Sequence, residues 1–541
     1  MKSTQEYETQ RLDHLGIVAG ICKEIGLIEQ INEALGESRR KVSYGAAVQA
    51  MVLNGLGFSS RAMYLTPQYM NNKPVELLID AGLAAEDFND DSLGRTLDRL
   101  YEAGVTEVFA GVAKRALDVY GISYRFYHLD SSSIAVSGEY EREREEGEIE
   151  ITYGYSKDKR PDLKQAVLNL ITGHGTRIPV WLEALSGNSS DKQSFPESIR
   201  KFTDQMEGVG AVYFVVDSAL YSAENLQELT EVYWLTRVPE TLAEARKLIE
   251  GANPAQMNAL EEGYKYQMYA SDYGSVSQRW LLVYSEKAKE REARALEKRI
   301  GREKEKAERA WRKMKGQRFN CEKDAQKALN AFQKRWKYHQ AEARLRPVNG
   351  YSNPGRPRKD ASPEVVGYQL EGEILRSEPA IAAASNRLGY FILATNQLDV
   401  AELPPQTMLA EYKTQGISVE RGFRFLKDPL FFADSLFLKT PRRIMALLMI
   451  MTLALLVYAL AERQLRLRLL EEDESIPNQL GKATQSPTLR WVFQLFEGID
   501  LLLIRRNGKT IDRQVLNLHP VHITIIQLLG PHIRNCYLFP T

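Results

Sequence analysis

Three carboxylates in this chain stand where a metal-dependent site could be built: Asp130, Asp217 and Glu420. Asp130 closes the run Tyr124-Arg125-Phe126-Tyr127-His128-Leu129, and Asp217 closes Ala211-Val212-Tyr213-Phe214-Val215-Val216. Both runs read as strands, and the second is continuously apolar, as in a strand covered on both faces. Glu420 lies in Gly416-Ile417-Ser418-Val419-Glu420-Arg421-Gly422-Phe423-Arg424-Phe425-Leu426-Lys427-Asp428-Pro429. There Val419, Phe423, Leu426 and Leu430 follow helical spacing and form one apolar stripe, while Glu420, Arg424 and Lys427 share a neighbouring face. Alone, that stretch reads first as an amphipathic surface helix with a salt bridge; the two upstream aspartates are what lift it. Three carboxylates on strand ends and a helix suit a hard divalent cation, which prefers oxygen ligands. Two such ions can activate an attacking oxygen and stabilise a leaving one in a phosphoryl displacement. His128, two residues before Asp130, points to the same strand face and reads either as an assisting group or as a packed histidine.

The elements that must position these groups follow a recognisable order. Residues 1–120 are expected to be helical: Leu12 to Leu35, a helix capped by Ser43, one opened by Asp90-Asp91-Ser92 and one opened by Thr106. From Tyr124 the period becomes strand-like. Tyr124–Asp130, Ile149–Tyr155 with Gln165–Thr172 around the basic bend Ser156–Pro161, and Arg177–Leu185 read as strands. A helix over Phe195–Met206, the strand ending at Asp217, a helix over Ala223–Thr230 and a strand over Tyr233–Val238 follow. Strand, strand, strand, helix, strand, helix, strand describes a mixed α/β sheet covered by helices.

Residues 241–385 interrupt the pattern. They hold strand-like material over Tyr264–Ser285 and a charged stretch, Glu286–Arg346, expected to be helical. Trp311, Phe319, Phe332, Trp336 and Tyr338 interleave with its cations, which fits either a solvated helical pair or contact with nucleic acid. The turn-rich Pro354–Lys359 reads as a loop or a minor-groove arm. Leu388–Ala394 resumes a buried strand, Pro487–Leu503 reads as an amphipathic helix, and Ile504–Leu518 as a hairpin around Asn507-Gly508. The domain expectation is 1–120 helical, 121–240 first part of the core, 241–385 insertion, 386–465 second part of the core, and 466–541 a helical and hairpin region for dimer or DNA contacts.

Composition narrows the classes. Across 541 residues the formal net charge is zero, so DNA contact must come from local patches rather than a uniformly basic coat. Cys22, Cys321 and Cys536 form no C-x-x-C pair, which disfavours a disulfide framework and suits a reducing cytoplasm. No apolar leader is expected from the first residues. Ile444–Leu460 is apolar enough to mimic a membrane span but short, and is expected to be a buried core helix. P-loop, G-x-G-x-x-G, H-E-x-x-H and G-x-S-x-G patterns are absent.

Leu129-Asp130-Ser131-Ser132-Ser133, Val215-Val216-Asp217-Ser218-Ala219-Leu220-Tyr221, Phe391-Ile392-Leu393-Ala394-Thr395-Asn396 and Val419-Glu420-Arg421-Gly422-Phe423-Arg424-Phe425-Leu426-Lys427-Asp428 together resemble the DDE transposases of bacterial insertion sequences. Within these the chain is similar to the group with an insertion between the second Asp and the Glu, which includes hairpin-forming enzymes. The resemblance implies a ribonuclease-H-like core, two Mg²⁺ or Mn²⁺ ions, and cleavage and strand transfer at inverted terminal repeats. It implies a homodimer in the synaptic complex and a cytoplasmic, nucleoid-associated bacterial protein without membrane contact. By position it makes Asp130, Asp217 and Glu420 the catalytic and metal-binding triad and Lys427 a phosphate contact. Arg424, Lys157, Lys159 and Arg160 become candidate DNA contacts, with Tyr221 and Tyr412 in support. The family's Tyr-x2-Arg-x3-Glu-x6-Lys pattern is matched in its second half: Tyr412 lies eight residues before Glu420 rather than seven, and Gly416 stands where Arg is expected. A structure-specific nuclease of the same fold and an inactive DNA-binding regulator are the alternatives.

Overall fold

A computed structural model describes the chain apart from residues 1–4, 37–39, 58–64, 141–144, 207–210, 352–361, 429–437, 439, 508 and 540–541, and apart from the side chains of residues 5 and 416–418. Leu430 and the Pro354–Lys359 link lie outside the described residues. The chain divides into two compact units: residues 1–236, 272–278 and 395–541 form one, and 237–271 with 279–394 the other.

In the first unit, the strand β1 (Gln5–Arg11) precedes the N-terminal helices and pairs antiparallel with Asp500–Arg506. This strand was not expected in a helical N-terminal region. The expected Leu12–Leu35 helix is split into Leu15–Glu24 and Leu27–Leu35 by Gly26, whose φ of 67° is open to glycine at little cost. Ser43 caps the Tyr44–Leu56 helix, its Oγ accepting from the Ala46 N–H. The third helix opens at Asp90 as expected, capped by Asn89, and the next starts at Val105 behind Gly104.

The sheet that carries Asp130 comprises β2 (Phe126–Val136), β3 (Lys164–Gly173), β4 (Pro179–Ser186), β5 (Tyr213–Val216) and β6 (Tyr233–Val238), in the spatial order β4-β3-β2-β5-β6. β2, β3 and β4 pair antiparallel; β5 joins β2 in parallel and β6 joins β5 in parallel. That order, with the Asp191–Gln205 helix between β4 and β5, is the ribonuclease-H-like arrangement. β2 runs past Asp130 to Val136 because its antiparallel partner β3 continues there after β5 has ended. Ile149–Tyr155 is not a strand; Thr152 alone bridges to Gln165.

The Pro441–Glu471 helix is long and apolar enough to cross a membrane, but its apolar stretch is buried. It packs against β4 and the Leu15–Glu24, Tyr44–Leu56 and Asp90–Glu102 helices, and Arg443 is bound to Asp98 at 2.7 Å. It is the core helix of this unit, and the N-terminal helices share its core. Pro487–Leu503 does not form one helix: Leu489–Leu495 is helical, Gly498 turns the chain at φ 88°, and Asp500–Arg506 is a strand in a hairpin with Lys509–Leu516.

The second unit holds strands Tyr390–Thr395, Gln278–Ser285, Tyr264–Ser271 and Asn258–Glu261 in that spatial order. It also holds the helices Glu286–Lys315 and Glu322–Gln333, and a ribbon of His339–Gly350 with Glu364–Arg376. The expected helix up to Arg346 therefore gives way to a strand at His339, where alternate residues are buried, a period of two. Trp311 and Phe332 pack together with Leu329 and Leu370, and the Trp311 Nε1–H donates to the Gly372 carbonyl. Trp280 is buried as well. These aromatics are core residues and are not presented for stacking on bases.

Candidate active site

Strand register builds the centre of the site. Leu129 pairs with Val216 at the last position of the parallel β2/β5 pair, and the next residues are Asp130 and Asp217. The two carboxylates therefore leave neighbouring strands side by side at the sheet edge where pairing stops. The Asp130 carboxylate accepts from the Ser131 N–H at 2.7 Å. Asp217 caps a short turn, its Oδ1 accepting from the Ala219 N–H at 2.8 Å, while Thr236 Oγ1 donates to its carbonyl at 2.7 Å. Tyr221 fixes the same turn from below. It is buried, its hydroxyl donates to Gln278 Oε1 at 2.7 Å, and its ring stacks on Tyr273.

Two further groups complete this cluster: Asp191, which was not among the expected site residues, and Lys157, which was expected only as a DNA contact. Asp191, in the first turn of the Asp191–Gln205 helix, accepts from Ser131 Oγ at 2.5 Å. Lys157 lies 3.1 Å from Asp191 and 3.6 Å from Asp130, and donates to the Ser131 carbonyl at 2.7 Å. The only sequence cue to Asp191 is its place after Gly187-Asn188, in a Ser-rich run that reads as a loop. Lys157, a candidate DNA contact in the sequence, lies against carboxylates. Burial pushes the Asp130 carboxyl up to about 6, Lys157 and the Ser131 N–H counteract, and the charges of Asp217 and Asp191 add to the rise. Burial raises Asp217 too, with Asp191 adding and Lys157 opposing. Three charge-coupled carboxylates thus gather around one ammonium.

The third expected carboxylate is placed differently. Glu420 lies on the Pro405–Leu426 helix, where Val419, Phe423 and Leu426 are buried as the apolar stripe requires. That helix packs on β2, β3 and β5. A Cβ on Gly422 would meet Leu455 and Leu170 at 3.3 and 3.4 Å, so the glycine lets helix and sheet approach. Glu420 itself is exposed and makes no hydrogen bond or ion pair among the described residues. Glu411, nine residues earlier and so about 180° around the helix, is the carboxylate turned into the protein. Glu420 and Lys427, seven residues apart, lie within about 20° of one another on one flank. Lys427 Nζ is bound to Asp158 at 2.6 Å, and Asp158 adjoins Lys157. That flank therefore borders the loop that reaches Asp130.

Of the other expected contacts, Arg424 and Lys159 are exposed, Arg160 is paired with Asp162 at 2.8 Å, and Tyr412 is half-buried. Tyr155, two residues before Lys157, is 88% exposed beside the pocket that Ser131, Lys157 and Asp191 line. His128 is fully buried, and burial lowers its pKa. A second pocket, of 330 Å³, gathers Arg177, Arg421, Arg463 and Arg466 around Glu462.

Residues 122–457 match the family described as Transposase DDE domain, and residues 7–114 match a domain of unknown function, DUF4277. Among solved structures, a piggyBac transposase synaptic complex with hairpin DNA is similar at 11% identity and a TM-score of 0.36, over 91% of this chain and 82% of that one. No curated protein matches the chain. The family match spans more than half of the sequence and covers both strand-end aspartates and the Glu420 helix, so this chain belongs to the DDE transposases.

Proposed function

We propose that this transposase serves a bacterial insertion sequence, cutting DNA at the inverted terminal repeats and joining the freed end to a target, with Asp130, Asp217 and Glu420 as its triad. The observation that carries the reading is the Leu129–Val216 register, which sets two charge-coupled aspartates side by side. A divalent cation fits this place by donor chemistry: the oxygens are hard and anionic, and a cation, the Lys157 ammonium, already sits among them. Mg²⁺ or Mn²⁺ bound there, as one ion or a pair, supplies activation of the attacking oxygen and stabilisation of the leaving oxygen.

The chain's own residues do the rest. Ser131 and Ala219 N–H groups hold the two aspartates in place. Asp191 draws the Lys157 ammonium to one side of the pair. Glu420 supplies the third carboxylate from its flank of the helix when DNA fills the site. Lys427 exchanges Asp158 for a phosphate oxygen of the element end, and Arg424 and Lys159 add exposed phosphate contacts. Two ends are held in a homodimer, and the protein works in the cytoplasm on nucleoid DNA.

Incubation of the full chain with terminal-repeat DNA, target plasmid and Mg²⁺ tests the reading. Joined end–target products are expected. Cleaved ends that never join to target would favour the structure-specific nuclease instead.

A further inference from the structure

We propose that His128, His174 and Glu411 form a second metal centre, for a transition-metal ion of the zinc class, distinct from the carboxylate site. Three separate segments meet here: His128 on β2, His174 directly after β3, and Glu411 on the Pro405–Leu426 helix. One potential ligand atom of each lies within 4.8 Å of the other two. Glu411 Oε2 is 2.6 Å from His174 Nδ1 and 3.7 Å from His128 Nε2. Ligand atoms around a tetrahedral Zn²⁺ with bonds of about 2.0–2.1 Å stand roughly 3.3 Å apart, so the observed spacings bracket what an ion would impose.

Unsatisfied polar atoms point to the same place. Among the described residues, His128 is fully buried with no hydrogen bond to either ring nitrogen, and Glu411 Oε2 and His174 Nδ1 face only one another, at 2.6 Å, and the more distant His128 Nε2. Buried polar groups without partners are costly and call for an explanation. The backbone is held beside the cluster, the His174 main-chain N–H donating to the Phe126 carbonyl at 3.0 Å, and the two imidazoles lie 6.0 Å apart at an interplanar angle of 29°. Two imidazoles and a carboxylate favour Zn²⁺ or its neighbours over Mg²⁺, which takes oxygen ligands. His174 is 43% exposed, which leaves an entry path and room for a fourth ligand.

The consequence is mechanical. The ion would tie β2, two residues before Asp130, to the helix that carries Glu420 two and a half turns further on. Gln415 Nε2, 3.5 Å from the Leu129 carbonyl, marks how close that helix comes to the strand.

The experiment uses the full chain carrying Asp130→Asn and Asp217→Asn, so that the carboxylate pair does not compete for metal. Co²⁺ titration should give one equivalent with d–d absorption of a four- or five-coordinate ion, displaced by Zn²⁺, and Zn²⁺ should raise the thermal midpoint. His174→Ala and Glu411→Gln should each weaken binding by at least about tenfold and abolish the thermal shift. His174 is partly exposed, so its removal spares the fold even where His128→Ala would not. Absence of a d–d band in the parent, or equal Co²⁺ affinity in His174→Ala and Glu411→Gln, would overturn the proposal. So would a loss of stability in His174→Ala that is the same with and without Zn²⁺, the signature of a hydrogen-bonded triad alone.

Discussion

The Lys157 ammonium lies 3.1 Å from the Asp191 carboxylate, and this pairing draws a positive charge into the cluster where metal ligands are proposed. Lysine and metal ion are therefore competitors for the same carboxylate oxygens. Lys157→Met removes the competitor and should raise Mn²⁺ affinity by about tenfold, the order of one charge-assisted hydrogen bond. Without metal the same variant should melt lower, because three carboxylates lose their counter-ion. Calorimetric titration and thermal unfolding check the two halves; unchanged Mn²⁺ affinity would remove Lys157 from the metal's place.

The Asp130 carboxyl titrates at about 6 in the folded chain, against about 3.9 in an unfolded one. A raised pKa means that the folded state holds this proton more tightly. Between about pH 4 and pH 6 the folded chain binds more protons than the unfolded chain, so stability falls as pH rises through that window, by up to about 3 kcal/mol, and then levels off. Asp217 shifts in the same direction. Metal needs the deprotonated form, so Mn²⁺ should raise the thermal midpoint at pH 7.5 and have little effect at pH 5. Asp130→Asn should flatten the stability slope between those values; an unaltered slope would assign it to other groups.

Tyr221 holds the Asp217 turn through Gln278. Tyr221→Phe keeps the ring stack on Tyr273 and deletes only the hydroxyl, so a loss of about 1–3 kcal/mol in denaturant unfolding is expected. Strand cleavage should fall with kcat while DNA affinity stays unchanged, because the Asp217 carboxylate is then held less firmly. A variant as stable and as active as the parent would show that the turn needs no such anchor.

Tyr155 is 88% exposed beside the Lys157 loop, whereas Trp280 and Trp311 are buried. Of these three, Tyr155 is the aromatic whose ring is free to stack on a displaced base. Tyr155→Ala should leave stability within about 0.5 kcal/mol and weaken binding to pre-nicked end DNA by roughly 1–3 kcal/mol. Equal affinity for nicked DNA would exclude it.

The legible part of this fold was the part written in periods. The continuous run Tyr213–Val216 and the strand-like segment before Asp130 gave the strands, and their order gave the sheet, because parallel neighbours in such an order leave few topologies. The Val419–Phe423–Leu426 stripe gave the helix face in contact with the sheet. Other features had no local signature. Asp191 and Lys157 meet Asp130 through tertiary folding alone, from a Ser-rich turn and a basic bend. The strand Gln5–Arg11 forms by pairing with Asp500–Arg506, almost the whole chain away, and a local pattern cannot announce such a partner. The aromatics of the charged helices were ambiguous because a ring between cations suits a core or a base equally; packing of Trp311 on Phe332 decided for the core.

Metal-dependent strand cleavage by single carboxylate variants tests the central claim most directly. The full chain and its Asp130→Asn, Asp217→Asn, Asp191→Asn and Glu420→Gln variants would be compared on end-labelled terminal-repeat DNA in Mn²⁺, with circular dichroism and DNA binding as controls for folding. Asp130→Asn, Asp217→Asn and Glu420→Gln should each lose at least about a hundredfold in cleavage rate while binding DNA normally, and Asp191→Asn should lose less. Retention of near-parent cleavage by Asp130→Asn or Asp217→Asn would contradict the account, and a dead Asp191→Asn beside an active Glu420→Gln would move the third carboxylate from the helix to Asp191.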